Sequence, residues 1–465
     1  MANDGFRSHG LIVALLYLLS LVNHSEGWVS PMPKQFGTGL TSPQGRPEQT
    51  ECRTVLDGSR HAMPSVMETK AKFTRTMALF SSNGNNNVVL EPSEDPTAFD
   101  SGKIGNARVH RYIESREQAE YVMWYHGRPK DFDSDLPPLS TGRIGRATSL
   151  NGLQWQKDTV GSDSEDVPGV SLGLNQESWW GFDTAHVGLG QVLLPMTTPA
   201  VLTEGGVYLM YFMGGSYDEA DATKFVPNAP EKMKDMKVKG MTMKIGVALS
   251  QDGISFGRVE GDDPSGACMV PYNTDDPTLT PFLDDKFDVE EELYCAWPEV
   301  SVRIAPSSAS PSSSSNADNA SGAGLPLPGS KQVPNFFMFY STMRKSDKAK
   351  CIGLAVSADG FQWYKRGICV SPDPDSDDES MDAGGCARCN VLQKADYNKD
   401  TREWTEKDGW IMFYEGVSHK DNKHRILLAE SDDGKTWRKM GLALDVGASG
   451  ETWDSEGVGA PSVIR

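Results

Sequence analysis

Little in this 465-residue chain is made for a membrane or for nucleic acid. A spanning helix needs about 20 consecutive apolar residues, whereas LIVALLYLLSLV (Leu11–Val22) holds twelve before polar NHSEG follows. Basic residues are short: 45 Lys and Arg stand against 64 Asp and Glu, a net charge of −19. No basic stripe offsets that balance, so nucleic acid is excluded as a partner and anionic membrane surfaces are disfavoured. Cysteines number seven, an odd count that cannot all pair. Cys386 and Cys389 form a lone C-x-x-C, with neither the second pair of a zinc ribbon nor a βαβ setting. Buried strand thiols or a local disulfide account for it better than zinc or redox chemistry. A Walker loop, G-x-G-x-x-G after a strand, H-E-x-x-H and G-x-S-x-G are all missing, so neither a cofactor nor a metal is expected. The run DPDSDDESMD (Asp373–Asp382) lacks the order and closing Glu of an EF-hand and reads as a solvated loop.

What is present begins with a leader. The apolar run follows a weakly basic start and reads as a secretory h-region, giving a signal-like leader over residues 1–26 and a secretory or extracellular address. Asp4 in the basic region and the lack of an A-x-A site are departures from that pattern. The stretch SEGWVSP resembles the junction of two-part plastid presequences in some algae, which is the alternative address. Residues 27–98, rich in Ser, Thr, Pro, Gly and Asn, read as a targeting or linker segment of low order.

The remainder is repetitive. IGRATSLNGLQW (Ile144–Trp155), IGVALSQDGISF (Ile245–Phe256), IGLAVSADGFQW (Ile352–Trp363) and ILLAESDDGKTW (Ile426–Trp437) share one pattern. Each is an alternating strand ending in Ser, then Asn-Gly or Asp-Gly, then an aromatic residue. Such dipeptides favour two-residue primed turns, so each segment is expected to be a hairpin, with its Trp or Phe anchoring the next strand. An aromatic strand precedes each hairpin: YVMWYHG, VYLMYFMGG, FFMFYST and WIMFYEG. A shorter opening strand precedes that: IGNARV (Ile104–Val109), VGLGQV (Val187–Val192), CAWPEV (Cys295–Val300) and CARCNV (Cys386–Val391). The chain ends on a fifth opener, VGAPSV (Val458–Val463).

Four antiparallel strands repeated at long, uneven spacing describe propeller blades. The expected fold is therefore all-β: a five-bladed β-propeller over residues 99–465 with four-stranded antiparallel blades. Its blades fall at 99–160, 182–260, 293–366 and 382–440, with an incomplete fifth at 453–465. The uneven spacing comes from a Lys/Met-rich insert (Ala222–Gly240) in blade two and a Ser-rich low-complexity loop in blade three. Either the chain as given is truncated, or residues 1–98 fill the gap, with NVVLEPS (Asn87–Ser93) as a candidate outer strand.

These repeats resemble the five-bladed propellers of the arabinanase, levansucrase and invertase superfamily, which includes glycoside hydrolase families 43 and 32. The resemblance covers residues 99–465 and rests on repeat architecture. A second, weaker likeness is to the Asp-box of sialidases, whose spacing is one residue longer. The resemblance implies a glycan or oligosaccharide partner and carboxylate chemistry at the channel mouth, with one group attacking or activating water and one protonating the leaving oxygen. The family places Asp on the openers of blades one and two and Glu on blade three. The matching column here is Asn106, Leu189, Trp297, Arg388 and Ala460, with no Asp.

Strand alternation locates another column. Arg108, Gln191, Glu299, Asn390 and Ser462 are polar in all five openers, and the next residue is Val in all five. Valines that pack between blades leave the polar column facing the lumen. Glu299 is its one carboxylate and the candidate general acid; the competing structural role is an ion pair with Arg108 or Arg388. Arg108, Gln191, Asn390 and Arg388 are candidate substrate contacts, with Trp297 as a stacking surface. Asp100, Asp183, Asp382 and Asp454 precede the openers. Their recurrence points to a structural cap, while Asp100 and Asp183 are the candidate nucleophile and tuner. His186, unique to blade two's opener, is a further candidate contact. His126 and Glu415 share one column before the Gly of the aromatic strand and are candidates to border the pocket, while Met213 and Ser341 in the same column point to tolerance rather than chemistry. The alternative to a hydrolase is a non-catalytic propeller that binds carbohydrate or protein.

Overall fold

The computed structural model describes residues 88–464 apart from 114–118, 132–135, 137–141, 160–166, 199, 202–204, 280, 304–324, 330–333, 373–379, 402 and 449–451. The leader, most of the linker, the Ser-rich loop of blade three and most of the acidic run lie outside the described residues. Among the described residues no helix is long and apolar enough to cross a membrane.

Four antiparallel sheets follow one another along the chain, each laid down in the order that the repeats dictate. The first holds β1 (Lys103–Ile113), β2 (Ala119–Arg128), β3 (Arg143–Ser149) and β4 (Gln156–Lys157), and β5 (Val170–Leu172) also pairs with β3. The second holds β6 (His186–Met196), β7 (Val207–Gly215), β10 (Lys244–Ser250) and β11 (Gly257–Val259). The third holds β12 (Glu292–Val302), β13 (Phe336–Arg344), β14 (Lys350–Ser357) and β15 (Tyr364–Val370). The fourth holds β16 (Gly385–Asn398), β17 (Glu403–Val417), β18 (His424–Ser431) and β19 (Arg438–Leu444). The openers form the inner strands β1, β6, β12 and β16, and the aromatic strands lie second in each blade. The arrangement is an all-β propeller of four blades, not five.

The opener valines go where alternation sends them. Val192, Val300 and Val391 are buried in three clusters that join blades one and two, two and three, and three and four. Val109 packs against a smaller cluster around Phe99, Met123 and Tyr125 on blade one. Apolar burial of this kind supplies the driving force for blade stacking, at about 25 cal/mol per Å².

The hairpins form, but their turns are longer than the expected two-residue type. Ser149, Ser250, Ser357 and Ser431 each accept the N–H of the turn glycine at 2.8–2.9 Å. The Asn or Asp between them accepts the two N–H groups beyond the glycine. Side-chain oxygens thus take over donors that a tight turn would satisfy with backbone. The glycines adopt φ of +71° to +86°, a region where a Cβ is strained. In three blades the closing Trp turns back and donates its indole N–H to that glycine's carbonyl at 3.0–3.1 Å.

The fifth opener does not build a blade. Residues 458–464 belong to no strand or sheet, and Pro461 has no N–H to give a ladder. Side chains and single backbone groups hold the segment instead: Val458 N–H donates to the His424 carbonyl at 3.0 Å, and Val463 N–H to Asn390 Oδ1 at 3.0 Å. The proposed outer strand is also absent, since residues 88–93 are irregular and Leu90 packs on the Phe99 cluster. The blade-two insert, by contrast, is folded. β8 (Glu219–Asp221) pairs with β9 (Lys237–Lys239), and Phe225, Met233, Met241 and Met243 pack on Leu293 and Tyr294 at the start of β12.

Candidate functional site

Every inner strand carries a bulge at the same depth. The register slips between Gly105 and Arg108, Leu189 and Gln191, Ala296 and Glu299, and Ala387 and Cys389. Asn106 and Trp297 there adopt φ of +47° and +45°, and Ala460, at the matching position of the fifth opener, adopts +50°. Non-glycine residues held in the left-handed region concentrate at functional sites, because neighbours must enforce them. Gly190 stands at the blade-two bulge for a second reason: a Cβ would meet Pro298 at 2.4 Å.

The bulges aim the polar column inward, and four of its five side chains converge. Glu299 is wholly buried. Its Oε1 accepts from Asn390 Nδ2 at 2.8 Å and the Val391 N–H at 3.0 Å, and Gln191 Nε2 lies 3.3 Å from both oxygens. Arg108 closes the ring, with Nη2 3.3 Å from Glu299 Oε2. Its other nitrogens reach the carbonyls of Gly190 and Pro461, each at 2.6 Å, and Nη2 also reaches that of Cys389 at 3.2 Å. Burial pushes the Glu299 carboxyl above the usual carboxylate range, while Arg108 and the N–H donors pull the other way. Ser462, the fifth member, is exposed, and its neighbours Pro461 and Val463 contribute backbone instead.

A second knot lies two residues back along the inner strands. Arg388 Nη2 donates to Glu415 Oε1 at 3.0 Å, and its guanidinium lies 5.0 Å from the Trp297 ring centre. His424 Nδ1 meets the same oxygen at 2.5 Å, while the Ala460 N–H donates to Oε2 at 2.9 Å. Burial alone would raise the Glu415 carboxyl, but Arg388, His424 and the Ala460 N–H hold it well below, at about 2. Burial lowers His424 against the pull of Glu415. It also lowers Lys350, to about 8. Trp297 is half-buried and packs against the methionine-rich insert, which therefore flanks this region. His186 is fully buried and pairs through Nε2 with the Gly240 carbonyl at 2.9 Å, fastening the end of that insert. Burial brings its pKa down to about 4, so the ring is neutral at pH 7 and serves as the donor.

The aspartates ahead of the openers do something else. Asp100 accepts from Tyr125 Oη at 3.0 Å and pairs with Lys157 of β4 at 2.6 Å. Asp183 pairs with Arg258 of β11 at 2.6 Å, and Asp382 with Lys439 of β19 at 2.6 Å and Tyr414 Oη at 2.8 Å. Blade three replaces the aspartate with Glu292, which takes Lys365 of β15 and Tyr340 Oη, both at 2.6 Å. Each blade thus carries a buried acid strapped to a cation on its outermost strand. Asp100 and Asp183 are occupied in this way and are not among the hydrogen-bond partners of Glu299.

The structure brings the candidates Arg108, Gln191, Glu299 and Asn390 together, and it places Arg388 on the ring of Trp297. Sequence reasoning missed the Glu415–His424 pair, although Glu415 was singled out by its column; the signal overlooked was a His at the start of the following strand. It read the recurring aspartates as caps of their own loops, where the structure shows ion pairs to the outermost strand, and it missed Glu292, which takes that place in blade three. Cys386 and Cys389 are both buried free thiols in β16. Burial pushes both well above the usual thiol range.

No protein-family model matches the chain, and no curated protein matches it. Similar solved structures include a glycosyl hydrolase from Bacteroides ovatus, 14% identical over 77% of this chain and 79% of the other, with a TM-score of 0.43. Another is a structure from the GH130 family of mannoside phosphorylases, described as containing hydrolases that target β-1,2-mannosidic linkages in Candida mannan. It is 13% identical over 77% of this chain and 78% of the other, with a TM-score of 0.42. A family 32 β-fructofuranosidase of Bombyx mori is 12% identical over 80% of this chain and 55% of its own length, with a TM-score of 0.36.

Proposed function

We propose that the protein is a carbohydrate-active, glycoside-hydrolase-like propeller that takes a glycan where its inner strands converge. Trp297 carries this reading. It is held in the left-handed region at +45°, half-buried, with the Arg388 guanidinium on its ring. An aromatic face fixed beside buried, hydrogen-bonded polar groups suits a sugar ring, which has an apolar face and a polar edge. Glu299 is the proposed general acid: burial favours its protonated form, and it stands two residues from Trp297 on the same strand.

One observation favours a second reading, glycan binding without hydrolysis. Glu299 and Glu415 are both wholly buried and both paired with an arginine, which suits a structural knot as well as an acid. Reducing-sugar release on a broad panel of plant and algal glycans separates the two. Glu299→Gln keeps the shape and the Asn390 and Val391 donors, so as a lost general acid it is expected to cut hydrolysis by about 100-fold or more. Hydrolysis unchanged in that variant removes Glu299 from catalysis. No hydrolysis by the wild-type chain leaves the binding reading.

A further inference from the structure

The strongest unassigned feature lies on the flank of blade two. A cavity of about 340 Å³ is lined by Asn175, Trp180, Phe182, Asp183, Arg258 and Asp263, among others. That volume is at the small end of ligand pockets. Two tryptophans stand at this loop with unusual exposure: Trp179 is 86% and Trp180 55% accessible, their rings edge to face at 5.8 Å. The loop is nonetheless pinned. Asn175 N–H donates to the Asp183 carbonyl at 3.1 Å, Phe182 N–H to that of Ser265 at 3.2 Å, and Asn175 Oδ1 takes the Ser178 N–H at 3.0 Å.

The two buried acids of the wall are each half used. Asp183 Oδ2 holds Arg258 at 2.6 Å and Asp263 Oδ1 holds Lys244 at 3.0 Å. Asp183 Oδ1 and Asp263 Oδ2 have no hydrogen-bond partner among the described residues. A buried acceptor left unmade costs free energy that an arriving donor recovers. Because each acid already has its cation, the spare oxygens call for hydroxyl donors rather than for a further charge. Glu260 and Asp262 along the wall repel anions. The floor, where Phe182 stacks on Phe212 at 5.6 Å, and the exposed Trp180 ring are apolar.

We infer that this flank is a carbohydrate subsite: a neutral sugar ring stacks on Trp180 and donates hydroxyls to Asp183 and Asp263. The inference stands apart from the reading of the inner-strand site, since no hydrogen-bond partner of Glu299 lines the cavity. The full chain is titrated separately with cellohexaose, laminarihexaose, mannohexaose and xylohexaose, followed by tryptophan fluorescence and saturation-transfer NMR. At least one is expected to bind, Trp180→Ala to weaken it about tenfold through lost stacking, and Trp180→Phe to retain most of the affinity. Glu299→Gln leaves this Kd unchanged, so failure here and failure of the inner-strand reading are distinguishable. Absence of binding by all four sugars overturns the inference, as does binding indifferent to Trp180→Ala. Spermidine binding that depends on Trp180 and Asp263 would make it a cation site instead.

Discussion

Blades one to four meet across three seams of one kind, and blades four and one face each other across a different one. At the closed seams an apolar cluster spans both blades. At two of them a side chain of one aromatic strand also caps the next blade's turn: Trp124 Nε1 donates to the Gly253 carbonyl at 2.9 Å, and Tyr211 Oη to that of Gly360 at 3.0 Å. Between blades four and one, no buried cluster joins the sheets among the described residues. There the link runs through polar groups: Arg108 to the Pro461 carbonyl, Asn390 to the Val463 N–H, and Glu415 to the Ala460 N–H. Apolar burial tolerates loose geometry, whereas polar closure concentrates its free energy in a few buried groups. Single substitutions should therefore act unequally at the two kinds of seam.

The largest effect is expected at Arg108, which serves both the ring and the open seam. Arg108→Ala leaves the Glu299 carboxylate buried without its cation and frees the Pro461 carbonyl. Breaking one side of a buried ion pair costs about 3–5 kcal/mol, read as a lowered urea midpoint at unchanged m-value. A loss below about 1 kcal/mol would show that the apolar seams alone hold the propeller.

Acid should open the polar seam before the apolar ones. Glu415 falls to about 2 when folded, against an unfolded value near 4.3. Its contribution is thus present above about pH 4.3 and lost as pH falls toward 2, amounting to about 3 kcal/mol. His186, brought down to about 4, works in the same direction but earlier. The unfolded chain takes up its proton from about pH 6.5 downward while the folded chain resists until about 4, so stability falls across that window. Equilibrium urea unfolding from pH 7 to 3 is expected to lose stability in two stages. Glu415→Gln should remove the lower stage and His186→Asn the upper. Stability independent of pH from 7 to 4 would contradict the His186 stage, and no further loss between pH 4 and 3 would contradict the Glu415 stage.

How much of this the sequence disclosed follows from the range of each interaction. The four-strand order and the buried valines were legible because alternation and turn chemistry are local and repeat four times. The polar ring was legible because one residue per opener made a column. The blade count was not, since Val458–Val463 carries an opener's pattern, and a pattern does not reveal whether partner strands exist. The straps were half legible: aspartates recur before four of the five openers, but the cations that pair with three of them, Lys157, Arg258 and Lys439, lie about 57 to 75 residues away on the outermost strands. The Glu415–His424 pair joins two neighbouring strands nine residues apart; its column singled out Glu415, but the partner lies in a different column, at the start of the next strand.

The smallest predicted difference isolates the two seams most cleanly. Tyr211→Phe deletes one buried hydroxyl at a closed seam, and its partner is a turn carbonyl with the ring otherwise wholly enclosed. Loss of such a hydrogen bond costs about 1 kcal/mol. Ser462→Ala makes a change of similar size at the open seam, but the serine is exposed and its segment is held by its neighbours' backbone. Its effect should stay within about 0.5 kcal/mol. Paired urea titrations of the two variants test the contrast. A serine substitution that costs as much as the tyrosine would mean that the Ser462 side chain, and not only the flanking backbone, fastens blade four to blade one.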